Sequence, residues 1–116
     1  MIPEIKTKWL KDLRSGEYTQ ARDNLMIEGD KACYCCMGVL GKGQGFKIIV
    51  EHNPQHGPDS GRFEDDYYKK GEGFTGMYPT LAKTGLKESE MTLLATMNDQ
   101  EGKSFLEIAD WIETNL

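Results

Sequence analysis

Four side chains have the spacing of a zinc site: two residues separate Cys33 from Cys36, fifteen separate Cys36 from His52, and three separate His52 from His56. Thiolate and imidazole ligands at those intervals can complete a tetrahedral centre. Two features oppose it. Pro54 falls between the histidines and would break the helix that usually carries them on successive turns. The cysteines lie in an apolar run, where a free thiol packs as a small hydrophobe. They are therefore expected in the core, with the zinc set Cys33, Cys36, His52 and His56 as the lesser alternative and no cofactor required. A cysteine nucleophile needs a thiolate beside a base, and the chain has two histidines, both in its least patterned part. No enzyme is expected. Glu64-Asp65-Asp66 reads as a solvated acidic run, with a metal site or mimicry of nucleic-acid phosphates as alternatives. Gly41, Gly43 and Gly45 follow a helix pattern and lead into a strand, the reverse of the order that places phosphate at a helix N-terminus.

The polar stretch from Arg14 to Arg22 gathers functions that a nucleotide needs. Arg14 and Arg22 offer bidentate contacts to phosphate, Tyr18 a ring for stacking, and Gln20 an amide for a base edge. Asn98, with Asp99, falls between the last two helical patterns and completes the candidate ligand set. A purely structural role is open for each: Arg14 at a helix C-terminus, Thr19 as a cap, Tyr18 over the core, Asn98 and Asp99 as a helix end.

Positioning these residues falls to one domain, 1–116, since 116 residues with 38% apolar content suffice for one modest core. Periodicity predicts a helix from Pro3 to Leu13 stopped by Gly16. A second is predicted over Gln20 to Ile27, and a third, capped by Asp30, runs through Leu40 and is apolar nearly all round. Phe46 to Val50 reads as a strand, and residues 52–77 as a long loop or a hairpin insertion returning through Arg62 and Phe63. A short helix ending at Gly85, another over Glu88 to Met97, and a last one opened by the capping box Ser104-Phe105-Leu106-Glu107 complete the order. The expected class is mainly α with a small β-hairpin.

The formal charge of −5 argues against binding duplex DNA through counterion release. It is uneven: residues 1–47 hold eight basic and six acidic side chains, residues 48–116 six and thirteen. An anion finds its counter-charges in the first part. No apolar run is long enough to span a membrane and the start does not read as a secretion signal, so the cytoplasm is the expected location.

Taken in order, Trp9-Leu10, Leu13-Arg14-Ser15-Gly16, Tyr18 and Gln20, then Cys35-Cys36 and Gly38-Val39-Leu40, then Leu94 and Asn98-Asp99, and finally Ser104-Phe105, Glu107-Ile108-Ala109-Asp110 and Ile112-Glu113 form a pattern. It resembles a widespread family of small phage- and prophage-encoded proteins. Met37 departs from it conservatively, and residues 42–77 are unmatched. The pattern is similar to the fourth anti-CBASS family, nucleotide sponges of phage immune evasion. That resemblance implies a homo-oligomer that encloses a cyclic dinucleotide defence signal in the infected bacterial host and leaves it uncleaved. A direct inhibitor of a host protein, acting through the acidic run as a mimic, and a zinc-stabilised adaptor are the competing readings.

Overall fold

In the computed structural model, residues 1–52, 59–66 and 78–116 are described. Helix α1 spans Pro3–Arg14, with proline in its first turn where no amide donor is needed. Its inner face carries Trp9 and Leu13, both buried, and the Trp9 indole N–H donates to the Cys36 carbonyl at 2.9 Å. That bond ties α1 to the middle of the molecule.

Three two-residue strands follow: β1 Thr19–Gln20, β2 Met26–Ile27 and β3 Cys33–Tyr34. Helix α2 is Cys36–Gly43, β4 is Ile48–Glu51 and β5 is Ser60–Phe63. A 3₁₀ helix at Pro79–Thr84 leads to α3, Glu88–Asp99, and α4, Phe105–Asn115. The strands form one mixed sheet in the order β1-β3-β2-β5-β4, with β1 parallel to β3 and the other pairs antiparallel.

The class is therefore α+β, and the expectation of a mainly α fold with a small hairpin is overturned by this five-stranded sheet. The helix expected over Gln20 to Ile27 does not form. Asp23 sits at φ 65°, outside any right-handed helix, and the chain on either side of it is extended. The next helix starts at Cys36 and not after Asp30, because Cys33 and Tyr34 pair with both β1 and β2. Cys35 then caps α2, its sulfur accepting from the Gly38 N–H at 3.4 Å.

Helix α2 is the buried centre. Every residue from Cys36 to Gly41 is buried, so it is apolar on all sides, as its sequence predicts. Two glycines let neighbours approach. A Cβ on Gly38 would lie 2.3 Å from the Leu25 carbonyl oxygen, and one on Gly41 would lie 2.2 Å from the Phe63 ring. Helices α1 and α3 pack against α2, α4 packs against both of them, and Leu13, Leu94, Ile108 and Ile112 join the same core.

Opposite residues in the sheet share a face, so Phe63 and Ile48 form one row on the core side. Arg62 with Ile49, and Ser60 with Glu51, form rows on the other side. Asp66 Oδ1 accepts from both the amide and the hydroxyl of Thr80, at 2.8 and 2.6 Å, fixing the start of the 3₁₀ helix against the end of β5. Among the described residues no helix is long and apolar enough to cross a membrane.

Candidate functional site

Three of the five sequence-predicted ligand residues meet. Asn98, in the last turn of α3, is fully buried. Its Oδ1 accepts from Gln20 Nε2 at 2.8 Å and from the Cys36 N–H at 3.2 Å. Its Nδ2 donates to the Ala21 carbonyl at 2.8 Å and to Asp99 Oδ1 at 2.7 Å. Gln20 spends its second N–H on the Lys103 carbonyl, also at 2.8 Å. Arg22 Nη1 donates to the Asn98 carbonyl and Nη2 to that of Gly102 at 3.5 Å, placing a cation on the negative end of α3. Asp99 completes the cluster by accepting from the Asp23 N–H at 2.9 Å.

The other two lie elsewhere. Arg14 Nη2 donates to Asp110 and Glu113 of α4, each at 2.9 Å, so its guanidinium joins α1 to α4; the Glu113 and Asp110 bonds, in that order, raise its pKa. Tyr18 packs edge-on against Tyr34 with ring centroids 5.6 Å apart, and burial raises its phenol pKa. Four of the five thus hold elements of the fold to one another through polar side-chain bonds, and Tyr18 does so by ring packing.

The cysteines divide by burial. Cys36 is fully enclosed, with Sγ 3.9 Å from the Leu94 carbonyl, and burial drives its thiol well above the ordinary range. Burial likewise pushes Cys35 up to about 12. Cys33 is half-buried on β3 and donates to the Lys31 carbonyl. His52 is exposed and contacts Asp59 at 2.7 Å, while His56 and Pro54 lie outside the described residues. Among the described residues no group of three or more His, Cys, Asp or Glu side chains is placed to hold a metal. The acidic run splits: Glu64 faces Lys47, Asp65 faces Lys83, and Asp66 turns inward.

A cleft of about 190 Å³ opens where the chain between β1 and β2 passes the β4–β5 pair. Asp23, Asn24, Leu25, Glu51, Arg62 and Tyr78 line it, together with Ser60 and Gly61. Arg62 is fixed by Glu51 and by the carbonyls of Phe63, Glu64 and Asp66, the latter three at 3.2 to 3.3 Å. The Tyr78 ring stands edge-on to Phe63 at 5.8 Å. A guanidinium, two carboxylates, an amide, a hydroxyl and an aromatic ring thus converge on a space for one ring-sized group, below the roughly 300–1,000 Å³ of sites that enclose a whole drug-sized ligand. Sequence reasoning missed this set. Its members come from four separate segments, and the only signal was Arg62 standing in the expected return strand.

A sequence model for the family described as domain of unknown function DUF8296 matches residues 1–79. The chain belongs to that family. The matched part holds α1, the whole sheet, α2 and every residue lining the cleft, whereas Asn98 and its α3 neighbours lie beyond it. No curated protein and no solved structure matches the chain.

Proposed function

We propose that this protein binds a cyclic nucleotide signal in the cleft and sequesters it without cleaving it, serving phage immune evasion in the cytoplasm of an infected bacterium. The observation that carries the reading is the cleft, whose lining offers complementary partners for one nucleotide unit. Tyr78 and Leu25 supply apolar surface for a base, Asp23, Glu51 and Asn24 supply partners for its N–H edge, and Arg62 supplies the charge for a phosphate. A space sized for one base accommodates one of the two bases of a cyclic dinucleotide. Two copies of the chain must then share the ligand, in keeping with a near-two-fold molecule held by a two-fold assembly. The resemblance of the sequence pattern to a nucleotide-sponge family prompts the same reading.

The test is a thermal-shift and calorimetric screen of the purified protein against cyclic di- and trinucleotides, because a ligand that binds only the folded state stabilises it by mass action. A binding member of the panel should be recovered intact by chromatography after heat denaturation. Arg62→Ala should weaken its binding by roughly tenfold or more, the scale of a lost charge-assisted contact. Recovery of cleaved nucleotide makes the protein an enzyme, and no binding across the panel removes the proposal.

A further inference from the structure

The sheet ends on β4, and the direction of its backbone groups is known. The Lys47 carbonyl accepts from the Glu64 N–H at 2.9 Å, so the odd-numbered residues of this strand turn their amides toward β5. The amides and carbonyls of Ile48 and Val50 therefore point outward, and among the described residues no strand pairs with that side. The strand reads Ile-Ile-Val-Glu, without the proline or inward charge that usually blunts an edge, and Val50 is 40% exposed.

We propose that β4 pairs antiparallel with β4 of a second copy of this chain about a two-fold axis at Ile49. The charges select this register. With Ile49 opposite its own counterpart, Lys47 stands opposite Glu51 of the partner subunit at both ends, and Ile48 stands opposite the partner subunit's Val50. The outward amides of Ile48 and Val50 then form the hydrogen-bonded pairs. Lys47 with Glu51 falls at the closer, non-hydrogen-bonded spacing, where opposite charges reinforce pairing. Shifting the register by two residues keeps the ladder but loses both charge pairs. Lys47 is well exposed and among the described residues pairs with Glu64 at 3.7 Å, which leaves it within reach of this contact.

The pairing also completes the cleft. Glu51 lines it beside Asp23 and Arg62, two carboxylates against one guanidinium. Lys47 of the partner subunit arrives next to Glu51 and supplies the cation that an anionic ligand needs. This last step rests on the function proposed above; the dimer itself does not.

Sedimentation velocity without nucleotide, across a concentration series, should show a reversible dimer. Lys47→Glu and Glu51→Lys alone should each weaken it roughly tenfold, and the double variant Lys47→Glu/Glu51→Lys should bind more tightly than either, since each swapped charge again meets its opposite across the interface even though it faces Glu64 or Arg62 of like sign in its own chain. Val50→Pro removes an N–H that serves only the partner and should leave a folded monomer by circular dichroism. A monomeric native protein at every concentration overturns the pairing. So does a double variant no more dimeric than the single ones, or a Val50→Pro protein that dimerises normally. A dimer that binds no nucleotide would remove the proposed function and leave this interface standing, and a protein that is monomeric without nucleotide but pairs around it through another surface would do the reverse.

Discussion

Gln20 and Asn98 lie 78 residues apart and meet through a 2.8 Å side-chain hydrogen bond at the junction of the sheet, α2 and α3. Because Asn98 also serves the Cys36 amide and the Ala21 carbonyl, one buried side chain satisfies backbone groups at the start of α2 and just after β1. Replacing it strands several polar groups at once, a larger loss than any one bond represents.

Asn98→Leu, alike in branching but larger and without polar atoms, should therefore lower unfolding stability by about 2–4 kcal/mol. Gln20→Ala, at a partly exposed position, should cost about 1 kcal/mol. Urea titrations followed by tryptophan fluorescence measure both. Equal effects from the two would place the centre of the network elsewhere.

Glycine positions in α2 make a sharper pair. Alanine is ordinarily the better helix former by about 1 kcal/mol. At Gly41, however, the new Cβ would lie 2.2 Å from a fully buried Phe63 ring that has no room to retreat. Gly41→Ala should destabilise by about 1–3 kcal/mol through overpacking, with much of that loss recovered in a Gly41→Ala/Phe63→Leu double variant. At Gly43 the obstruction is the end of the Asp12 side chain, 2.5 Å from the added atom and able to turn outward. Gly43→Ala should be near neutral. Thermal unfolding of the four proteins checks the contrast, and an equal loss at both glycines would contradict it.

How far the sequence reveals this molecule depends on element length. Helix α1 is legible because Trp9 and Leu13 repeat at helical spacing, and α4 because Ser104 and Glu107 form a complete capping box above Phe105, Ile108 and Ile112. The sheet is hidden because three of its strands are two residues long, too short for alternation to register. Residues 20–27 even mimic a helix, since Ala21 and Leu25 are both buried and four apart, yet Asp23 between them turns the chain at positive φ. The polar residues singled out for ligand contact are special for a legible reason, in that polar side chains beside apolar runs need partners. What their spacing could not reveal is that Gln20, Arg22 and Asn98 are one another's partners. The cleft was less visible still, because its residues become neighbours only once β2 pairs with β5.

Thiol accessibility separates the cysteines. In the native protein a neutral-pH disulfide reagent should modify Cys33, half-buried on the sheet, and leave Cys35 and Cys36 untouched, since the thiolate is the reacting species and burial suppresses it at both. Denaturation should raise the titre to all three. Two rapidly reacting thiols in the native state would mean that the start of α2 opens readily.

The same burial makes stability depend on pH in the alkaline range. Cys35 ionises near 9.0 when unfolded and is pushed up to about 12 in the fold, and Cys36 is raised in the same direction. Between those values the unfolded chain loses protons that the native chain keeps, so rising pH favours unfolding. The contribution is complete below pH 9 and is lost progressively as pH rises toward 12. Tyr18, whose phenol is also raised by burial, acts with the same sign. The urea midpoint should therefore fall steadily above pH 9. A Cys35→Ala/Cys36→Ala variant should be less stable overall, but the slope of that fall should lessen, leaving the part due to Tyr18 and to Lys8, whose ammonium is also raised by its bond to Asp12. An unchanged slope in that variant would assign the alkaline loss to other groups.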